Sequence, residues 1–182
     1  MKHDHTVLEL VTTGVLAAVI CVLAPLGLPI DPVPISLATF AVMLTSYVAG
    51  WKKGSVAVLI YLILGAVGVP VLSGYTGGLS KVIGPTGGYL IGYIPLAFCT
   101  GWFAEKHRSN VILTVAGMLI GTIILYALGT VWLAFQMKMD LKAALGAGVL
   151  PFLPGDAAKI VITQVLGPIL YTALKKGGVL TK

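Results

Sequence analysis

Charged side chains are rare inside the apolar stretches of this chain, so the segment Pro154-Gly155-Asp156-Ala157-Ala158-Lys159 stands out. On a helix it sets an acid and a base one turn apart, on a shared face. A lysine near the centre of a bilayer costs about 3 kcal/mol on insertion scales, so an ammonium group there calls for a partner or a watery cavity. Two readings follow. In the first, Asp156 and Lys159 satisfy each other and Lys159 reaches outward to the headgroups. In the second, which we favour because ionisable groups within membranes usually mark ligand paths, Asp156 accepts N–H donors from a ligand. Lys159, helped by the positive end of its helix, then meets an anionic group.

A glycine-rich stretch carries the next signal. Gly74-Tyr75-Thr76-Gly77-Gly78 and Gly84-Pro85-Thr86-Gly87-Gly88 repeat the pattern G-x-T-G-G ten residues apart. Glycines let backbone amides and carbonyls approach a ligand with no Cβ in the way, although the same pattern suits a turn that merely re-enters the membrane. Tyr75, Tyr89 and Tyr93 cluster around it. Their rings could wall a pocket while their hydroxyls bond a ligand, or they could form an interfacial aromatic belt. The glycines, Gly74 and Gly87 among them, and Tyr75, Tyr89 and Tyr93 therefore join Asp156 and Lys159 as candidate substrate-binding residues. In the first apolar segment, Gly14 and Ala18, with Ala17 and Cys21 as a second small pair, make a flat face for close helix contact, inside the protein or with a partner. His3-Asp4-His5 lacks a third strong ligand and reads as a terminal tail, not as a metal site.

Composition limits what these residues can serve. The chain has 182 residues, 58% of them hydrophobic and 10% charged, with a mean hydropathy of +1.01, far from what a soluble surface requires. Its formal charge of +6 is scattered between apolar runs. It lacks the clustered stripe that would bind nucleic acid. Cys21 and Cys99 lie within apolar segments and read as reduced, buried thiols. There is no G-x-x-x-x-G-K-[ST] phosphate loop, no H-E-x-x-H and no G-x-S-x-G. Acidic residues number only six, so a catalytic dyad is hard to assemble and a binding protein without cofactor or metal fits better than an enzyme.

The elements that position these groups are apolar spans of roughly 20 residues, about six in all, in one bundle over residues 1–182. Span one runs from about Val7 to Pro25. Its basic start resembles a signal peptide, but no A-x-A pattern follows, and it is expected to stay uncleaved. The three-proline loop Leu26 to Pro34 comes next. Span two, Ile35 to Gly50, stops at Trp51-Lys52-Lys53-Gly54, and span three runs from Ser55 to Val69. An irregular loop over 71–88 precedes span four, Tyr89 to Ala104, which ends at Glu105-Lys106-His107-Arg108. Span five takes Val111 to Phe135, a polar connection Gln136 to Leu150 follows, and the last span runs from Pro154 to Leu174. With both termini in the cytoplasm, Lys2, Lys52, Lys53, Lys106, Arg108, Lys175, Lys176 and Lys182 lie inside, against Lys81, Lys138, Lys142 and Lys159 outside. That orientation puts the three unusual connections and the acid–base pair on the outer face.

With its proline-rich first loop, GPTGGYLIGY at Gly84 to Tyr93 and PGDAAK at Pro154 to Lys159, the chain resembles, over essentially its full length, the BioY family. Members of that family are the biotin-specific S components of energy-coupling factor (ECF) transporters. The resemblance implies an all-α bundle of about six helices in the bacterial plasma membrane, surrounded by lipid and binding substrate near its outer face. It also implies docking on an ECF module of one transmembrane coupling subunit and two ATPases, which agrees with the missing phosphate loop. Carried over, it places Gly87, Tyr89, Asp156 and Lys159 in the biotin site, together with Thr86 and Tyr93. Biotin offers a ureido group, an apolar bicyclic body and a carboxylate tail. Asp156 suits the ureido nitrogens, and Lys159 suits either the carboxylate or the ureido carbonyl. S components dock through an A-x-x-x-A motif on the first helix, where this chain has Gly14-x-x-x-Ala18. A stand-alone gradient-driven carrier would need paired broken helices and a titratable group at the midplane, and an intramembrane enzyme would need a nucleophile–base pair. Neither pattern is found.

Overall fold

The structure is a computed structural model that describes residues 2–28 and 31–180, with backbone only for residues 2–6. The His3-Asp4-His5 side chains, the Lys2 and Lys182 charges and the Pro29-Ile30 part of the first loop lie outside the described residues. What is described is mostly helical. In chain order the elements are α1 (Lys2–Leu23), β1 (Gly27–Leu28), β2 (Ile35–Ser36), α2 (Ala38–Ala66), α3 (Leu79–Ile83), α4 (Gly87–His107), α5 (Val111–Met137), α6 (Leu141–Gly148) and α7 (Leu153–Lys176). The two short strands pair antiparallel, Gly27 with Ser36 and Leu28 with Ile35, and we call the described residues 31–36 the flap.

By length and composition α5 and α7 can each cross a membrane, α2 reaches the same criteria only as the sum of two arms joined at Gly50, and α1 holds a shorter apolar run, Val7–Leu23. Large apolar side chains point outward along them: Val7, Leu10 and Val15 on α1, Ile112 and Ile123 on α5, and Val161, Val165 and Ile169 on α7 are all exposed. Water would penalise such a surface, whereas lipid accepts it.

Spans two and three, expected to be separated at Trp51-Lys52-Lys53-Gly54, are joined in α2, and the break is one residue. Inside α2 the non-helical position is Gly50, at φ 82° and ψ 173°. Glycine adopts that conformation without a Cβ penalty, and the following tryptophan and lysines are compatible with helix, so they continue it. The chain folds back there. A Cβ built on Gly54 would lie 2.8 Å from the Ser46 Cα, whereas eight residues of straight helix advance about 12 Å. The element is thus two antiparallel arms, residues 38–49 and 51–66.

Two further boundaries move. The irregular segment 71–88 contains α3, and α4 begins at Gly87, ahead of the expected Tyr89. The polar connection after α5 contains α6, because Asp140 caps it by accepting from the Ala143 amide at 3.0 Å, and an alanine- and leucine-rich run follows.

The core lies between α2, α4 and α5, where Met43, Tyr47, Tyr61, Leu96, Met118, Leu125 and Leu133 are fully enclosed. Small residues allow α4 and α5 to approach closely: a Cβ on Gly92 would stand 2.9 Å from the Leu125 Cα, and one on Gly121 would stand 2.9 Å from the Leu96 Cα. Helix α1 packs on α2, and α7 packs on α2 and α5, one on each flank of this core.

Candidate binding site

The start of α7 carries Asp156 and Lys159 inward, where they are 4% and 8% exposed. Burying either charge alone would be strongly unfavourable, so the surroundings must neutralise and saturate them. They do so through three other elements. The Lys159 ammonium donates to Asp156 Oδ1 at 2.7 Å, to Thr39 Oγ1 at 2.9 Å and to the Ser36 carbonyl at 2.8 Å. The Thr39 hydroxyl in turn donates to Asp156 Oδ1 at 3.1 Å, and the Tyr126 hydroxyl donates to Asp156 Oδ2 at 2.5 Å. All three ammonium hydrogens are therefore used, and Asp156 Oδ1 has two donors. Asp156 Oδ2 keeps a lone pair that can accept one more N–H.

Beside this network lie two adjoining clefts. One is lined by Ser36, Thr39, Tyr126, Phe152, Asp156 and Lys159 together with apolar neighbours. The other is lined by Leu72, Ser73, Lys81, Thr86 and Leu90. Val33, Pro34, Tyr89 and Tyr93 line both, so the flap and two tyrosines of α4 form the shared wall. The arrangement is a mostly apolar hollow with polar groups grouped at separate places, suited to an elongated amphipathic small molecule.

The candidate residues fall into distinct positions. Asp156, Lys159, Tyr89 and Tyr93 come together at the first cleft, and Thr86 joins Tyr89 and Tyr93 at the second. Tyr89 also ties α4 to α6, its hydroxyl donating to the Gly148 carbonyl at 3.0 Å. Gly87 opens α4, where an added Cβ would stand 3.0 Å from the Trp132 Nε1, so it serves helix packing and lines neither cleft. Gly74 and Tyr75 form an exposed turn with φ of 76° and 57°, and neither lines a cleft. Gly14 and Ala18 sit on the outward face of α1, and a Cβ on Gly14 would meet nothing within 4 Å.

Sequence reasoning missed Thr39, Tyr126 and Phe152. Threonine near a helix start and phenylalanine in a turn carry no distinguishing signal. Tyr126 did carry one, as a hydroxyl in the middle of a 27-residue apolar helix that must find a buried partner.

Comparison with known proteins agrees in sequence and in structure. The family model described as the BioY family matches residues 1–176. The biotin transporter BioY of Thermotoga maritima is 40% identical over 158 residues, covering 87% of this chain and 92% of that protein. The biotin transporter BioY of Rhizobium etli is 39% identical over 170 residues, covering 87% and 90%. Among solved structures, the S-component for biotin from an ECF-type ABC transporter superposes with a TM-score of 0.84 at 33% identity, covering 96% of this chain and 95% of that one.

Proposed function

The chain belongs to the BioY family, and from that premise we propose that it captures biotin at the membrane and delivers it as the S component of an ATP-driven ECF transporter. The observation that carries this reading is the Asp156–Lys159–Thr39–Tyr126 network beside the paired clefts. The ureido head enters the first cleft and one of its N–H groups donates to the free lone pair of Asp156 Oδ2. Lys159 and Thr39 fix that carboxylate in direction through its other oxygen. The bicyclic body lies against Tyr89 and Tyr93, and the flap residues Val33 and Pro34 cover it.

The fold supports the rest of the proposal. With the two arms of α2 taken separately, α1, α4, α5 and α7 complete about six crossings of a bacterial plasma membrane, both termini cytoplasmic and residues 1–182 one domain. The site then faces outward. The outward stripe of α1, with Gly14 and Ala18 at its centre, is the face offered to the coupling subunit, and ATP hydrolysis belongs to the two ATPases of the module.

Equilibrium binding of biotin to the purified protein tests the site. We expect Asp156→Asn and Lys159→Met each to weaken binding by at least about 100-fold, because each leaves its former partner as an uncompensated buried charge. Wild-type affinity in both variants would remove the site from this end of α7.

A further inference from the structure

The hydrogen bonds of Lys159 leave a question about the acid end of the ligand. An ammonium has three donors, and Lys159 has given all of them to Asp156, Thr39 and Ser36. A second carboxylate brought to the same group would set two anions against one cation in a buried place. The acid end needs its own counter-charge.

Among the described residues, one other cation lines either cleft: Lys81, in the second. Lys138 and Lys142 line neither. Among the described residues, the Lys81 ammonium forms no hydrogen bond or ion pair, and the side chain is half-buried. Its backbone is nevertheless fixed. Ahead of α3, the Gly78 amide donates to the Gly65 carbonyl of α2 at 2.7 Å. Behind it, the Trp132 indole of α5 donates to the Gly84 carbonyl at 2.9 Å, and the Gln136 amide donates to the Ile83 carbonyl. The carbonyl of Lys81 itself accepts from the Thr86 hydroxyl at 3.5 Å. A short helix pinned at both ends thus presents an uncommitted ammonium to the cleft beyond Tyr89 and Tyr93, opposite the Asp156 network.

We infer that Lys81 is the specificity-determining cation for the carboxylate tail, and that through it the protein separates the free acid from its neutral amides and esters. The inference rests on the biotin reading above and adds the acid end to it. Head and tail are then recognised by different lysines with different states: Lys159 neutralised in advance, Lys81 neutralised by the ligand.

Binding of biotin and of biotin amide to the purified full-length protein and its Lys81→Gln and Lys81→Arg variants tests this. The wild type should prefer the acid by about tenfold or more, the strength of a charge-assisted hydrogen bond. Lys81→Gln should bind acid and amide alike, at the amide affinity of the wild type, and Lys81→Arg should keep the preference. An acid preference that survives in Lys81→Gln, or a wild type that binds both compounds equally, overturns the role of Lys81 and leaves the biotin site standing. A wild type that binds neither compound overturns the biotin reading itself.

Discussion

Helices α7 and α1 flank the same core and use their faces in opposite ways. The inner face of α7 is polar where it meets the core. Besides Asp156 and Lys159, its Gln164 accepts from the Thr114 hydroxyl at 2.8 Å, and Thr163 is fully buried. The inner face of α1 is made of Leu16, Ala17 and Ile20, with Thr12 and Thr13 bonded back to the Leu8 and Glu9 carbonyls of their own helix. On the outer side, α7 shows bulky Val161, Val165 and Ile169, whereas α1 interrupts its bulky residues with Gly14 and Ala18. One helix directs its polar groups inward, to the network beside the paired clefts. The other holds on by apolar contact and leaves room outside for a close-packed neighbour. On the proposed reading, ligand capture and assembly fall to separate helices.

The strongest challenge to that division is a double-mutant cycle on α7. Asp156→Asn and Lys159→Met should each destabilise the purified protein by about 3–5 kcal/mol, since each strands one buried charge, while the double variant should recover most of that loss. Thermal unfolding of the four proteins measures it, and simply additive losses would mean that the pair does not act as a unit. A smaller effect is expected at the α5 side of the same network. Tyr126→Phe removes one hydrogen bond to a carboxylate, worth about 1.5–3 kcal/mol, and should weaken biotin binding about tenfold by calorimetry. Unchanged affinity would leave Tyr126 a purely structural tie between α5 and α7. The smallest effect on the isolated chain belongs to α1. Gly14→Leu enters open space, so stability and biotin affinity should change by less than about 0.5 kcal/mol while co-purification with the module subunits is lost. Full co-purification would place the docking face elsewhere.

Much of this was legible from residue types. A charged pair in an apolar run is expensive, so Asp156 and Lys159 announce themselves, and the apolar stretches locate the helices to within a few residues. The partners were harder to see because hydroxyl residues are cheap in a membrane helix: Thr39 and Thr122 look alike in the sequence, yet the Thr39 hydroxyl bonds Asp156 and the Thr122 hydroxyl bonds the Met118 carbonyl of its own helix. The two G-x-T-G-G copies teach the same lesson. One is an exposed turn with left-handed residues, and the other launches α4 against Trp132. Local pattern specified the possibility of close approach, and the neighbouring helix decided whether it was used. Lys81 was invisible as a site residue for a related reason, since its proposed role follows from Lys159 being fully engaged, and two of its three acceptors, Ser36 and Thr39, lie far away in the chain.

The reversal at Gly50 has no slack. A loop of several residues can absorb an extra one, but here a single residue separates two helical arms, and a side chain at that point would also press on the Glu105 carboxylate. One residue inserted beside Gly50 would turn the second arm by about 100° about its axis, because each helical residue advances by that angle. The buried stripe Ala57, Val58 and Tyr61 would swing towards lipid, and exposed Val56, Leu59 and Ile63 would shift their bearing on the core by the same angle. The phase of that arm, and with it the seating of α4 beside the paired clefts, is therefore set by the length of a one-residue hinge.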